Sequence, residues 1–439
     1  MAQCWAVFPE HVESSVMDNV THSLAGLLVA EAAVQLRARL TDGESSPRFR
    51  TVAAISSLIA ANLPDADLLY TGIGAEPLLY MLHHRGYTHT VVVALLGAVL
   101  LWSAALLALA WRTRATPATG DRRWLCGLLL VSALSHLVLD WTNSYGLHPF
   151  WPADDRWLYG DAAFIVEPWL WIVSVPVLVA ATTNRIARVL LSLVLVAGVV
   201  LAWRVSLVTT GAAAMLTIGA VISIALARLL RPAHRAVAAV GAWVVVTLVM
   251  ATGSATARAE TLRAARAADR AAELLDVVVS PLPANAICMS VITVERSGST
   301  YRVATARVSS VPAIAVASSC GAPRSTDSSF RKSARRSTRA VQWDTEWIAP
   351  LAELASLARE SCPALAALRF IRVPAWQAID DSTLTLGDVR FGGAGRGFSV
   401  VRVPRRSARC PENVPPWVPP RADVLYPSIA LPALPSGSL

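Results

Sequence analysis

Four short stretches of this chain hold side chains able to bind a metal ion or move a proton. They are "VTHS" with His22, "NLPDAD" with Asp65 and Asp67, "MLHHRGYTHT" with His83, His84, Arg85 and His89, and "SHLVLDW" with His136 and Asp140. Imidazoles mixed with carboxylates suit Zn²⁺ first, with Mn²⁺ or Fe²⁺ as alternatives. The candidate ligands are His22, Asp65, Asp67, His84, His89, His136 and Asp140, enough for one ion or two. A pair of ions a few ångströms apart would activate a water between them. Asp65 or Asp67 is the candidate bridging carboxylate or general base. Arg85 is a candidate for neutralising a phosphate or developing negative charge.

Each residue alone has a plainer reading. Asp18 or Thr21 could cap a helix, with His22 merely in its first turn. Asp65 and Asp67 could belong to a turn after Pro64. His136 could be a hydrogen-bonded bundle residue, and Arg85 an interfacial arginine among headgroups. No G-x-S-x-G occurs and no cysteine lies beside these histidines, so serine or cysteine nucleophiles have no support. "FGGAGRG" lacks the Lys-Ser/Thr of a phosphate loop and reads as an ordinary loop.

The elements that must position these groups are membrane helices. Hydrophobic residues make up 54% of the 439 and charged ones only 16%, where about 25% charged is usual for globular chains; the mean hydropathy is +0.49. Windows of span length occur near 91–111, 124–141, 163–181, 189–203, 206–229 and 236–252, with shorter, Ala-rich segments at 23–36 and 52–63. His136 and Asp140, four apart, share one helix face inside such a window, where ionisable groups are costly and usually functional. The net charge of +9 comes mainly from arginines. They cluster at Arg37, Arg39, Arg48 and Arg50, at Arg112, Arg114, Arg122 and Arg123, at Arg185 and Arg188, and at Arg228, Arg231 and Arg235. The positive-inside rule puts those loops in the cytoplasm, Arg204 being an exception. All four chemical stretches then meet at the opposite, outer membrane face. No basic region interleaved with aromatics supports nucleic-acid binding.

Composition changes after Ser254. A charged, Ala-rich helix precedes strands at "LDVVVSPLPANAICMSVITVE" and "YRVATARV". "WDTEWIAPLAELASLARES" reads as helix, "RFIRVPAW" and "STLTLGDVRFGG" as strands, and "PRSTDSSFRKSARRSTRA" as a solvated basic loop. Cys288, Cys320, Cys362 and Cys410 all fall in this part, which suggests up to two disulfides with three alternative pairings.

The expected fold is therefore a membrane all-α, polytopic bundle of about eight helices with a small extracytoplasmic α+β C-terminal domain. Residues 1–16 read as an N-terminal extension before a more natural start at Met17. Residues 17–171 form the metal-site helical membrane core, 172–253 additional transmembrane helices, 254–410 the outer α+β domain, and 411–439 a Pro-rich tail, extended or disordered.

"MDNVTHSLAG", "ANLPDAD", "HRGYTHT" and "SHLVLDWTNSYGLHPFWP", in this order, resemble the YdjM/YbcI-like (DUF457) family of bacterial membrane-bound metal-dependent hydrolases. The resemblance covers about Met17 to Trp171; a β-containing C-terminal extension is similar to that of longer members. It implies a helical inner-membrane core with a divalent metal at His22, Asp65, Asp67, His84, His89, His136 and Asp140. His83 lies outside the H-R-G-x-T-H core, Tyr145 and Gly146 match the turn after the fourth helix, and Glu167 stands where the family pattern has Asp. The order of the motifs is also similar to that in zinc-dependent phospholipase C and P1-type nucleases. The expected function is a metal-dependent hydrolase of the bacterial cytoplasmic membrane, its site opening to the outer face. Its substrate would be an ester or phosphoester, with membrane lipid as partner or substrate. The alternative is a non-enzymatic membrane protein with a structural metal site and a partner-binding outer domain.

Overall fold

The computed structural model describes residues 10–41, 45–72, 76–113, 117–321 and 328–426, with side chains from residue 19 onward except at 112 and 113. Cys4, Arg114, the Asp18 side chain and the end of the Pro-rich tail lie outside the described residues. Ten helices come first: α1 (Glu10–Leu40), α2 (Pro47–Ala60), α3 (Leu68–Thr71), α4 (Pro77–His83), α5 (Val91–Thr113), α6 (Thr119–Thr142), α7 (Pro168–Ala181), α8 (Arg185–Arg204), α9 (Thr210–Leu229) and α10 (Pro232–Ala268). Among the described residues, α5, α6, α8, α9 and α10 are long and apolar enough to cross a membrane. A sixth span arises if α2 and the segment Pro64–Thr71, bent by 53°, count as one. Large apolar side chains face outward along these helices, among them Ile186, Leu193 and Val200 on α8 and Val244 and Leu248 on α10. Water would not tolerate so much exposed apolar surface, and lipid does. The window expected at 163–181 yields only the 14-residue α7, which Pro168 starts and whose first turn Glu167 caps.

α10 runs unbroken for 37 residues, about 55 Å, so the expected boundary at 253 falls inside a helix. Its last turns pack Ala257 and Ala265 onto a five-stranded antiparallel sheet of order β1-β2-β3-β5-β4. The strands are β1 (Glu273–Leu282), β2 (Asn285–Ser297), β3 (Thr300–Ser309), β4 (Arg331–Lys332) and β5 (Val341–Pro350). Strand alternation sends Val277 and Val279 toward α10 and Val278 to the other face. That second face is covered by α11 (Leu351–Glu360), α12 (Cys362–Leu368) and the sheet β6 (Pro374–Ala378), β7 (Thr383–Asp388) and β8 (Val401–Pro404). Disulfides join Cys288 to Cys320 and Cys362 to Cys410.

Three expectations change. "WDTEWIAP" is strand β5, because Val341, Trp343, Trp347 and Ala349 are buried at alternating positions and Pro350 then opens α11. The basic loop is not wholly solvated: Arg335 is buried against Glu295 (2.7 Å) and Glu346 (2.8 Å). The stretch from Pro411 to Tyr426 is packed rather than free. Trp417 is 1% exposed, and the short helix α13 (Ala422–Leu425) buries Val424 and Leu425 in the domain core.

A buried ion network ties the domain to the loop after α6. Arg372 clamps Asp161 through its two terminal guanidinium nitrogens (2.8 and 2.9 Å) and Asp276 through Nε (2.9 Å), while Arg258 of α10 reaches Asp161 at 2.8 Å. Asp161 takes a left-handed backbone (φ 52°) to present its carboxylate there. Burial alone would raise the Asp276 carboxyl, but Arg372 and Arg421 outweigh it and hold it well below the usual range. Removing Arg372 leaves Asp161 with Arg258 and Asp276 with Arg421 at 3.5 Å in place of the bidentate clamp. Arg372→Met should cost about 3–5 kcal/mol, whereas Arg405→Met, which breaks a half-exposed pair with Glu353, should cost under about 1 kcal/mol. Unfolding of the detergent-solubilised variants by denaturant reads both, and equal losses would contradict the network's role.

Candidate metal centre

The site starts at a broken helix. α2 ends at Ala60, and Asn62, Leu63 and Pro64 divert the chain into a 3-10 turn, Pro64–Asp67. Pro64 has no N–H to continue the α2 ladder. The break leaves the Ala61 carbonyl free of a helical partner, and His136 Nδ1 donates to it at 2.7 Å. The turn buries Asp65 and Asp67.

A second irregular stretch faces it. After α4, His84 is extended, Arg85 is left-handed (φ 58°), and Tyr87–His89 forms another 3-10 turn before α5. Gly86 has negative φ; its role is close approach, since a Cβ there would lie 2.9 Å from the His83 carbonyl. The left-handed turn falls on Arg85, at a cost of about 1–2 kcal/mol. The Arg85 amide donating to Asp67 Oδ2 at 3.1 Å offsets part of it. α6 supplies His136 and Asp140 one turn apart.

These segments bring four donor atoms together. His89 Nε2 lies 3.1 Å from His136 Nε2, 3.2 Å from Asp65 Oδ1 and 3.2 Å from Asp140 Oδ2. His136 Nε2 lies 3.3 Å from Asp140 Oδ2 and 3.7 Å from Asp65 Oδ1. A tetrahedral shell with bonds of about 2.0–2.1 Å sets its donors about 3.3–3.4 Å apart. The protonation pattern agrees. His136 spends its Nδ1 proton on Ala61, and His89 Nδ1 faces Thr88 Oγ1 (3.0 Å) and Asp67 Oδ2 (3.4 Å). With Nδ1 the protonated nitrogen of each ring, both Nε2 atoms would present lone pairs toward one point, which the two carboxylate oxygens also face. Four such atoms converging in a buried place suit a cation. Asp65, His89, His136 and Asp140 thus form a group that can hold a metal ion.

Asp65 also belongs to a second group, with Asp67 and His84. His84 Nδ1 lies 3.1 Å from Asp67 Oδ1, and the other Asp67 oxygen accepts from Arg85 N (3.1 Å) and Thr88 Oγ1 (2.9 Å). Asp67 thus orients both histidines.

The other candidates are placed as follows. His22 stacks on His136 (centroids 3.8 Å apart), and its Nε2 is 3.3 Å from Asp140 Oδ1; it joins neither group of donors. Arg85 is 1% exposed, which rules out the headgroup reading; it pairs with Asp140 Oδ1 at 2.8 Å and donates to Asn143 Oδ1 at 3.0 Å. His83 is partly exposed and donates to the Asn413 carbonyl at 2.8 Å. Glu167 accepts from Trp169 N and Ala284 N and so joins α7 to the β1–β2 turn, apart from both groups. Thr88, Asn143 and the Ala61 carbonyl were not anticipated. For Thr88 and Asn143 there was a signal: one sits beside His89, the other three residues after Asp140. His148 is packed between Trp157 and Trp417, and burial lowers it to about 3, so it is neutral.

The expected open mouth is covered. Tyr80 stacks on His84 at 4.8 Å, Tyr145 meets its edge at 5.7 Å, and Phe398 of the C-terminal domain packs on Tyr80. Trp417 Nε1 donates to Leu82 O at 2.8 Å, and Arg390 reaches the carbonyls of Ser144 (2.6 Å) and Tyr145 (3.1 Å).

Residues 17–210 match the model of a family described as YdjM inner membrane protein. The match takes in every residue of the cluster and supports the resemblance read from the four motifs; it stops before the C-terminal domain. Together with the apolar helices it marks a membrane protein. No curated protein and no solved structure matches the chain.

If the four-donor group holds an ion, purified protein should carry bound divalent metal. His136→Ala should lose it and His83→Ala should keep it. Thr88→Val, which frees Asp67 from one of its donors, should weaken affinity by about 10–100-fold. Elemental analysis and metal titration read these outcomes, and equal metal content in His136→Ala and wild type would contradict the assignment.

Proposed function

We propose that this protein is a metal-dependent hydrolase of the bacterial cytoplasmic membrane, acting on an ester or phosphoester of a lipid or lipid-linked molecule at the outer face. The observation that carries the reading is the convergence of two imidazole Nε2 atoms and two carboxylate oxygens on one buried point. Asp65, His89, His136 and Asp140 would hold the first ion, and Asp65, Asp67 and His84 a second. Zn²⁺ is the first choice for such nitrogen and oxygen donors, with Mn²⁺ or Fe²⁺ next. An ion so held polarises an ester or phosphoryl oxygen and makes water a stronger acid.

The protein's own groups have distinct tasks in this reading. Asp65, common to both donor groups, is the carboxylate best placed to bridge ions or accept a proton. Asp67, bound by Arg85 N and Thr88, holds His84 and His89 in orientation. Arg85 is committed to Asp140 and positions that carboxylate. The arginine distribution and the two disulfides support a C-terminal domain outside the cytoplasm.

One observation favours the rival reading. Four protein donors already complete a tetrahedral shell, and closed shells are typical of structural sites, whereas catalytic ones keep a position open. Hydrolysis then requires Asp65 to shift toward the second group or the coordination number to rise.

The test is hydrolysis of phosphoester and phospholipid substrates by protein in mixed micelles. Activity should vanish with a chelator and return with Zn²⁺, and Asp65→Asn should lower turnover by about 10²–10⁴-fold. Metal-loaded protein that is inert on every ester and phosphoester would establish the structural reading instead.

A further inference from the structure

Outside the metal centre, α1 packs against both α6 and α10 and is left with an apolar groove of about 810 Å³ between them. Its floor is shallow because α1 places Ala32 and Ala33 there, and its walls are cut back at Gly127 of α6 and Gly241 of α10. A Cβ built on either glycine meets nothing within 4 Å, so these walls are open rather than closely packed. No carboxylate lines the groove.

The arginine-rich end of the groove is different. Arg123, exposed, and Trp124 line it from α6. One turn beyond the lining residue Leu36, Arg39 reaches across to His234 of α10 at 3.2 Å. The nearby carboxylate, Asp121, is already taken by Arg37 at 2.6 Å. An apolar trough thus ends at two arginines and an interfacial tryptophan.

We propose that this groove binds one anionic phospholipid, an acyl chain lying on α1 between α6 and α10 and its phosphate against Arg123 and Arg39. Charge selects this occupant over a second copy of the chain. A two-fold pairing through the groove would set the same arginines of two +9 chains near one another, whereas a phosphate answers them. The proposal does not rest on the metal reading: along α6 the nearest lining residue to His136 is Val131, five residues or about 7.5 Å away, and the arginine end at Arg123 is thirteen residues or about 20 Å away.

Full-length protein reconstituted in vesicles of phosphatidylcholine with a minor fraction of phosphatidylglycerol, then released in mild detergent, is examined by native mass spectrometry. The protein should retain one phosphatidylglycerol in preference to phosphatidylcholine. Arg39→Gln and Arg123→Gln should each cut that preference by about five-fold. Gly127→Leu with Gly241→Leu, which fill open space, should displace both lipids while metal content stays at the wild-type level. Equal retention of the two lipids by the wild-type protein would overturn the proposal without need of any variant. So would arginine variants that keep the preference, or glycine variants that change the dimer fraction and leave bound lipid untouched.

Discussion

Three carboxylates, Asp65, Asp67 and Asp140, are buried beside a single guanidinium, Arg85, among the described residues of the cluster. With neutral histidines that leaves two negative charges in a place where water is scarce. Burying unpaired charge is among the most expensive things a fold can do. The surrounding backbone is arranged around this debt. α2 breaks so that Ala61 can fix His136, Arg85 adopts a left-handed turn so that its amide reaches Asp67, and the Nε2 atoms of His89 and His136 lie 3.2–3.7 Å from the Asp65 and Asp140 oxygens. A divalent cation resolves all of these features together, and the irregular backbone is sheltered by protein, as membrane-depth breaks must be.

The C-terminal domain is built onto this core. α10 passes from an apolar stretch into the domain without a break, Arg372 and Arg258 converge on Asp161, and Arg390 and Trp417 bind the backbone on either side of the cluster. The aromatic layer of Tyr80, Tyr145 and Phe398 then covers His84. Just after Asp67, outside that layer, Leu69 and Tyr70 stand exposed.

Much of the cluster was legible because charged and imidazole groups are rare in apolar windows. The arginine pattern brought His22, Asp65, Asp67, His84, His89, His136 and Asp140 to one end of the helices, and the H-R-G-x-T-H spacing separated His84 from His83. What was not legible depends on backbone geometry. A carbonyl freed at a helix break, such as that of Ala61, has no signature in residue type. Nor could spacing show that Arg85, rather than Gly86, would take the left-handed turn. β5 was mistaken for helix because "WDTEWIAP" adjoins a strong helix former, and its alternating burial shows only once the sheet exists. The stretch before Tyr426 read as a free tail because prolines hide the few buried side chains that anchor it, Trp417, Val424 and Leu425.

The central claim is that two imidazoles and two carboxylates enclose one ion. X-ray absorption at the metal edge of the purified protein tests it most directly. The account predicts a shell of light donors at about 2.0–2.1 Å with the outer scattering of two imidazole rings, and loss of the bound-metal signal in His136→Ala. A metal shell without imidazole scattering, or a spectrum unchanged in that variant, would contradict it.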